Sequence, residues 1–123
     1  MSGIQVHFAK LRFAGTAGNW DLARFELDEI EEGLRTVAAL RPAENGVDLV
    51  GLVDAFEQTQ LAELTEAIEA SDPGRFDRAY LEAMAMCNSC HERTGRPFLV
   101  ITAPSAPPVP NQRWAPPPAS PGG

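Results

Sequence analysis

Four stretches of this chain return an apolar side chain every three or four residues, the spacing that gathers such residues on one face of an α-helix. The first carries Ile4, Leu11 and Ala14, with His7 on the same face and Phe8 beside it, and reads as a short helix that ends in the stretch Gly15-Thr16-Ala17-Gly18-Asn19. Asn19 suits the cap of a second helix, whose stripe is Trp20, Ala23, Leu27, Ile30, Leu34 and Val37. Asp21, Arg24, Asp28, Glu31, Glu32 and Arg35 on its other face read as solvated surface. Pro42 and the loop Ala43-Glu44-Asn45-Gly46 end it, and a third helix is expected over about 47–70 on Leu49, Val53, Phe56, Gln60, Leu64 and Ala67. After the turn Asp72-Pro73-Gly74, a fourth begins near Pro73, where a first-turn proline sacrifices no hydrogen bond. Its stripe runs through Phe76, Tyr80, Ala83 and Met84 to Cys87, Cys90 and His91. The expected fold is all-α, an up-down-up-down four-helix bundle.

Gly95 and Pro97 stop the fourth helix, and nine of the eleven prolines lie from Pro97 onward. The chain thus divides into residues 1–96, the helical domain, and residues 97–123, a Pro-rich extended C-terminal arm. Phe98-Leu99-Val100-Ile101-Thr102 reads as extended; together with Trp114 it is expected to fold residues 97–114 back onto the helices at the His91 end.

Composition narrows the partners. No run of about 18 apolar residues is present, so no membrane span is expected. A net charge of -7 with Lys10 as the only lysine argues against nucleic acid and anionic lipid, which are bound by clustered cations. Asp28, Glu29, Glu31 and Glu32 offer an alternative use as a docking patch for a basic redox partner.

Both cysteines and one of the two histidines fall within Cys87-Asn88-Ser89-Cys90-His91. C-x-x-C-H is the attachment signature of c-type haem. On a helix, residues three apart share a face, so two thiols at this spacing reach two vinyl groups on one porphyrin edge. The histidine that follows then offers an imidazole nitrogen to the iron. Three other uses compete. A structural zinc site would need four ligands, and no second Cys or His pair lies at finger-like spacing. A redox dithiol opens a helix, where the dipole lowers the thiol pKa, whereas this motif closes one. A plain disulfide or two buried thiols would leave a non-haem interaction module with a Pro-rich arm.

With four expected helices and Cys87-Asn88-Ser89-Cys90-His91 at the end of the stripe Phe76, Tyr80 and Met84, residues 4 to about 95 resemble the cytochrome c′ and c556 family of bacterial four-helix-bundle cytochromes. The short first helix and the stretch from Arg96 to Gly123 depart from that family. The resemblance implies a periplasmic protein; residues 1–15 carry no basic segment followed by an apolar one, so the leader is expected to have been trimmed or the start to lie elsewhere. The expected cofactor is one covalent haem c with its iron, and the expected role is electron transfer to a redox partner protein rather than enzyme catalysis. The alternative is a five-coordinate haem that binds a diatomic gas; a homodimer stays open.

The choice between these roles turns on the sixth iron ligand. Met84 and Met86 lie too near His91 on the same helix to reach the opposite face of a haem. His7 is the only other histidine, and in a bundle with three reversals it lies level with His91. The metal ligands expected are therefore His91 and His7, with Lys10 as a weaker candidate. Tyr80, like Trp20 and Phe76, reads as a core aromatic with haem-wall contact as the alternative use, and Met84 is placed beside it at the cofactor. Arg96, with Arg93 nearby, is a candidate to pair with haem propionates, the other reading being a cation that suits a helix C-terminus.

Overall fold

The structure is a computed structural model that describes residues 2–118; residue 1 and residues 119–123, the end of the expected arm, lie outside the described residues. It is mostly helical, with one two-stranded hairpin. Helix α1 spans Ser2–Thr16 and α2 spans Trp20–Leu40. Helix α3, Leu49–Phe56, passes through the π-helical turn Glu57–Leu61 into α4, Ala62–Glu69, without interruption, and α5 spans Pro73–Arg93. No helix among the described residues is long and apolar enough to cross a membrane.

Local chemistry sets the boundaries. The Asn19 side chain accepts from the Leu22 N–H at 3.2 Å, and that of Asp72 from the Arg75 N–H at 3.1 Å, so α2 and α5 both begin on a satisfied cap. Asp48 caps α3 in the same way through Gly51 N–H. Between α2 and α3, strands β1 (Ala43–Glu44) and β2 (Val47–Asp48) close a hairpin where a loop was expected. Asn45 and Gly46 take φ of 53° and 76°, the left-handed pair that a two-residue hairpin turn requires.

The π-helical turn changes which residues face inward. One extra residue per turn advances the stripe by a position, so the buried series runs Val53, Phe56, Leu61, Leu64 and Ile68, and the expected Gln60 gives way to Leu61. Ala67 stays buried beside Ile68.

The core is aromatic along α5. Tyr80 stacks on Phe8 with ring centroids 4.3 Å apart, and its hydroxyl donates to the Phe8 carbonyl at 2.9 Å. Trp20 meets the edge of Phe76 at 5.7 Å. Gly15 lies so close to the Phe76 ring that an added Cβ would stand 2.2 Å from it, so α1 and α5 approach at a distance only glycine permits. Arg12 pairs with Asp77 at 3.0 Å, and Ile4 and Phe8 share a cavity wall with Cys87 and His91. The start of α1 therefore lies beside the end of α5.

Among its described residues the arm contains no helix or strand, yet it is anchored at both ends of the described stretch. Leu99 and Ile101 sit at the His91 end, while Trp114 packs on Phe13 with centroids 5.6 Å apart and the Ala115 carbonyl accepts from the Asn19 amide at 3.5 Å. Trp114 thus lands at the opposite end of α1 from the place expected for it. An extended chain gains about 3.1 Å per residue, so the thirteen steps from 101 to 114 reach about 40 Å, ample to run the length of α1.

Candidate functional site

The α5 stripe that buries Phe76, Ala79, Tyr80 and Ala83 continues into Cys87, Cys90 and His91, and there the core opens. A cavity of about 330 Å³ lies against these three residues. Its walls are apolar: Ile4 and Phe8 from α1, Leu34 and Val37 from α2, Leu49, Val53 and Phe56 from α3, and Leu99 and Ile101 from the arm. Gln5 is the uncharged amide among them. This is the size and lining of a site for a large, mostly apolar ligand.

His91 is 7% exposed and its Nδ1 lies 2.8 Å from the Leu99 carbonyl oxygen. A carbonyl only accepts, so the proton of the neutral ring sits on Nδ1 and the lone pair on Nε2. That tautomer is the one a metal ligand needs, with its other nitrogen oriented by a backbone acceptor.

Cys87 and Cys90 are free thiols on the cavity wall. Burial pushes the Cys87 thiol up to about 12 and raises that of Cys90 as well. Thiols so disfavoured as thiolates are poor nucleophiles for disulfide exchange, which does not support the redox-dithiol use. Among the described residues no group of three or more His, Cys, Asp or Glu gathers as a metal site. Zinc needs such a set from the protein, whereas a porphyrin brings four nitrogens and asks for one imidazole.

Charge is confined to the partly exposed residues of the cavity. Arg41 and Arg96 both donate to Oε1 of Glu44, at 3.1 and 2.5 Å. The Arg96 hydrogen bond holds the Glu44 carboxyl below the usual carboxylate range. Two guanidinium groups on one carboxylate form a rim that suits the acid groups of an otherwise apolar ligand. Two thiols, an imidazole with its proton on Nδ1, apolar walls and a charged rim thus meet at one cavity, a set of groups compatible with a haem c.

Not every expected residue joins the site. Tyr80 is fully buried behind Phe8, and Met84 packs into the core; neither lines the cavity. The aromatic residues on the cavity wall are instead Phe8 and Phe56, because Tyr80 lies deeper along the stripe. Arg96 is at the cavity and Arg93 is not. His7 does not line the cavity either: its Nδ1 is 2.6 Å from Oε2 of Glu26, and its Nε2 is 3.9 Å from Glu29. Glu26 is 1% exposed, and a carboxylate so buried demands a partner. His7 is close to the right depth but faces α2, while Phe8, about 100° further round α1, takes the cavity side.

Residues that periodicity did not single out complete the site. Arg41 arrives as the C-cap of α2 and Glu44 through the hairpin, for which Asn45-Gly46 was the available signal. The Leu99 carbonyl is a backbone group and left no trace in residue type. Comparisons with known protein families, with curated proteins and with solved structures find no match to this chain.

Proposed function

We propose that this chain is a monohaem c-type cytochrome, an up-down-up-down four-helix bundle with haem c attached at Cys87 and Cys90 and iron held by His91. One observation carries the reading: both thiols and an imidazole with a free Nε2 meet on the wall of one apolar cavity of about 330 Å³. When bound, the haem iron would supply one-electron chemistry and the capacity to bind a neutral diatomic ligand. The chain's own part is to hold the ring by its edge, fix the His91 tautomer, exclude water with the walls from α1, α2 and α3, and meet acid groups with Arg41 and Arg96.

With His7 engaged by Glu26, the cavity offers no second imidazole. This favours binding of a small gas as the leading role. Electron transfer to a redox partner protein, in the periplasm, is the second reading; it is supported by the partly exposed rim, which brings solvent and partner within reach of the cofactor's edge.

The test is the absorption spectrum of haem-loaded wild type and His7→Ala, with and without carbon monoxide. The expected result is a high-spin resting spectrum in both and equal gas affinity. A low-spin wild type that becomes high-spin only in His7→Ala would restore His7 as ligand and give electron transfer the lead.

A further inference from the structure

Asn88, one of the two variable positions within Cys87-Asn88-Ser89-Cys90-His91, has its side chain matched to both backbone groups of a residue thirteen positions away. Its Nδ2 donates to the Ile101 carbonyl at 3.0 Å, and its Oδ1 accepts from the Ile101 N–H at 2.7 Å. The amide thus acts as one rung of a ladder, in a segment that has no strand partner. Two residues upstream, the Leu99 carbonyl receives Nδ1–H of His91 at 2.8 Å.

Asn88 and His91 are three apart on α5 and share a face. Leu99 and Ile101 are two apart and both turn backbone groups toward α5, as their bonds to His91 and Asn88 show, while Phe98 and Val100 are 82% and 61% exposed. The two pairs of hydrogen bonds therefore lie side by side. On the upstream side the segment is fixed by the end of α5. Gly95 at φ 86° lets the Arg96 N–H reach the His91 carbonyl at 2.7 Å, and the Leu99 N–H bonds Arg96 at 3.0 Å. On the downstream side Asn88 supplies the nearest hydrogen bonds that hold the register. A slip of one residue would replace an inward carbonyl by an outward one and leave Nδ1–H without its acceptor.

We infer that Asn88 is a positioning residue: by clamping Ile101 it holds the Leu99 carbonyl against His91 and so sets the tautomer and donor strength of the iron ligand. This rests on the reading of His91 as that ligand. A backbone acceptor on the second nitrogen makes an imidazole a stronger donor, so loosening the clamp weakens the bond from His91 to iron without touching either.

Two readouts on the full-length haem-loaded protein separate the clamp from its consequence. Amide hydrogen exchange at Ile101 reports the clamp, and the iron–histidine stretching frequency in the ferrous five-coordinate state reports the ligand. In Asn88→Ala, exchange at Ile101 is expected to quicken roughly tenfold, as for loss of one hydrogen bond, and the stretch to move to lower frequency with haem content unchanged. Asn88→Asp, which keeps the acceptor for the Ile101 N–H and loses the donor, is expected to fall between Asn88→Ala and wild type in both. Faster exchange with an unmoved stretch would overturn the positioning role, and unchanged exchange would overturn the clamp. Should the chain carry no haem, the iron-ligand reading fails by itself; ¹⁵N shifts of the His91 ring in the same chain then decide the clamp, an Asn88-dependent Nδ1–H tautomer supporting it and an Asn88-independent one overturning it.

Discussion

The chain carrying Cys87→Ser together with Cys90→Ser is expected to release all of its haem into acidified acetone, where the wild type releases none. Both sulfurs stand on the cavity wall, three residues apart on one helix face, and each is expected to form one thioether. A single serine leaves one covalent tether, so either single variant is expected to retain haem in acid at lower yield. The serines should disturb the fold little, because both positions are half-buried on the cavity wall at the end of α5 and serine is close to cysteine in size. The double variant thus separates covalent attachment from folding. Acid-stable haem in that variant would contradict the assignment of these two sulfurs.

Haem loading is expected to raise the stability of this chain by several kcal/mol. Apolar void volume costs about 24 cal/mol per Å³, so filling about 330 Å³ recovers at most about 8 kcal/mol. The recovery falls below that ceiling because the charged rim opens part of the space to water. Even half of it is comparable to the lower end of the whole stability of a domain this size, about 5 kcal/mol. Between the chain made without haem and the haem-loaded chain, the melting temperature is therefore expected to rise by at least about 10 °C. Two melting curves within a few degrees of each other would mean that the cavity is not the haem's place.

The helix boundaries were legible because their causes are local. Asn19, Asp72 and Pro73 mark starts by hydrogen bonds and backbone geometry within one turn, and Gly95 marks an end by its positive φ. The seam from Phe76 to His91 was legible too, since one period carries both core and site residues. Other features depend on more than period. At α1 the spacing admits both His7 and Phe8, and only the buried carboxylate of Glu26 on α2 decides which of them faces the cavity. The insertion at Glu57–Leu61 exchanges Gln60 for Leu61 through a backbone hydrogen-bond shift that no residue type announces. Leu99 acts through its carbonyl, and Trp114 finds its partner Phe13 only when residues 102–113 carry the chain from the His91 end to the other end of α1.

A covalent haem on Cys87, Cys90 and His91 is read out by the alkaline pyridine haemochrome spectrum of the full-length protein produced alongside a c-type haem attachment system. The expected spectrum is that of one haem per chain, with the band positions of a ring whose two vinyl groups are both saturated by sulfur. A spectrum without haem, or one with both vinyl groups intact, would contradict it.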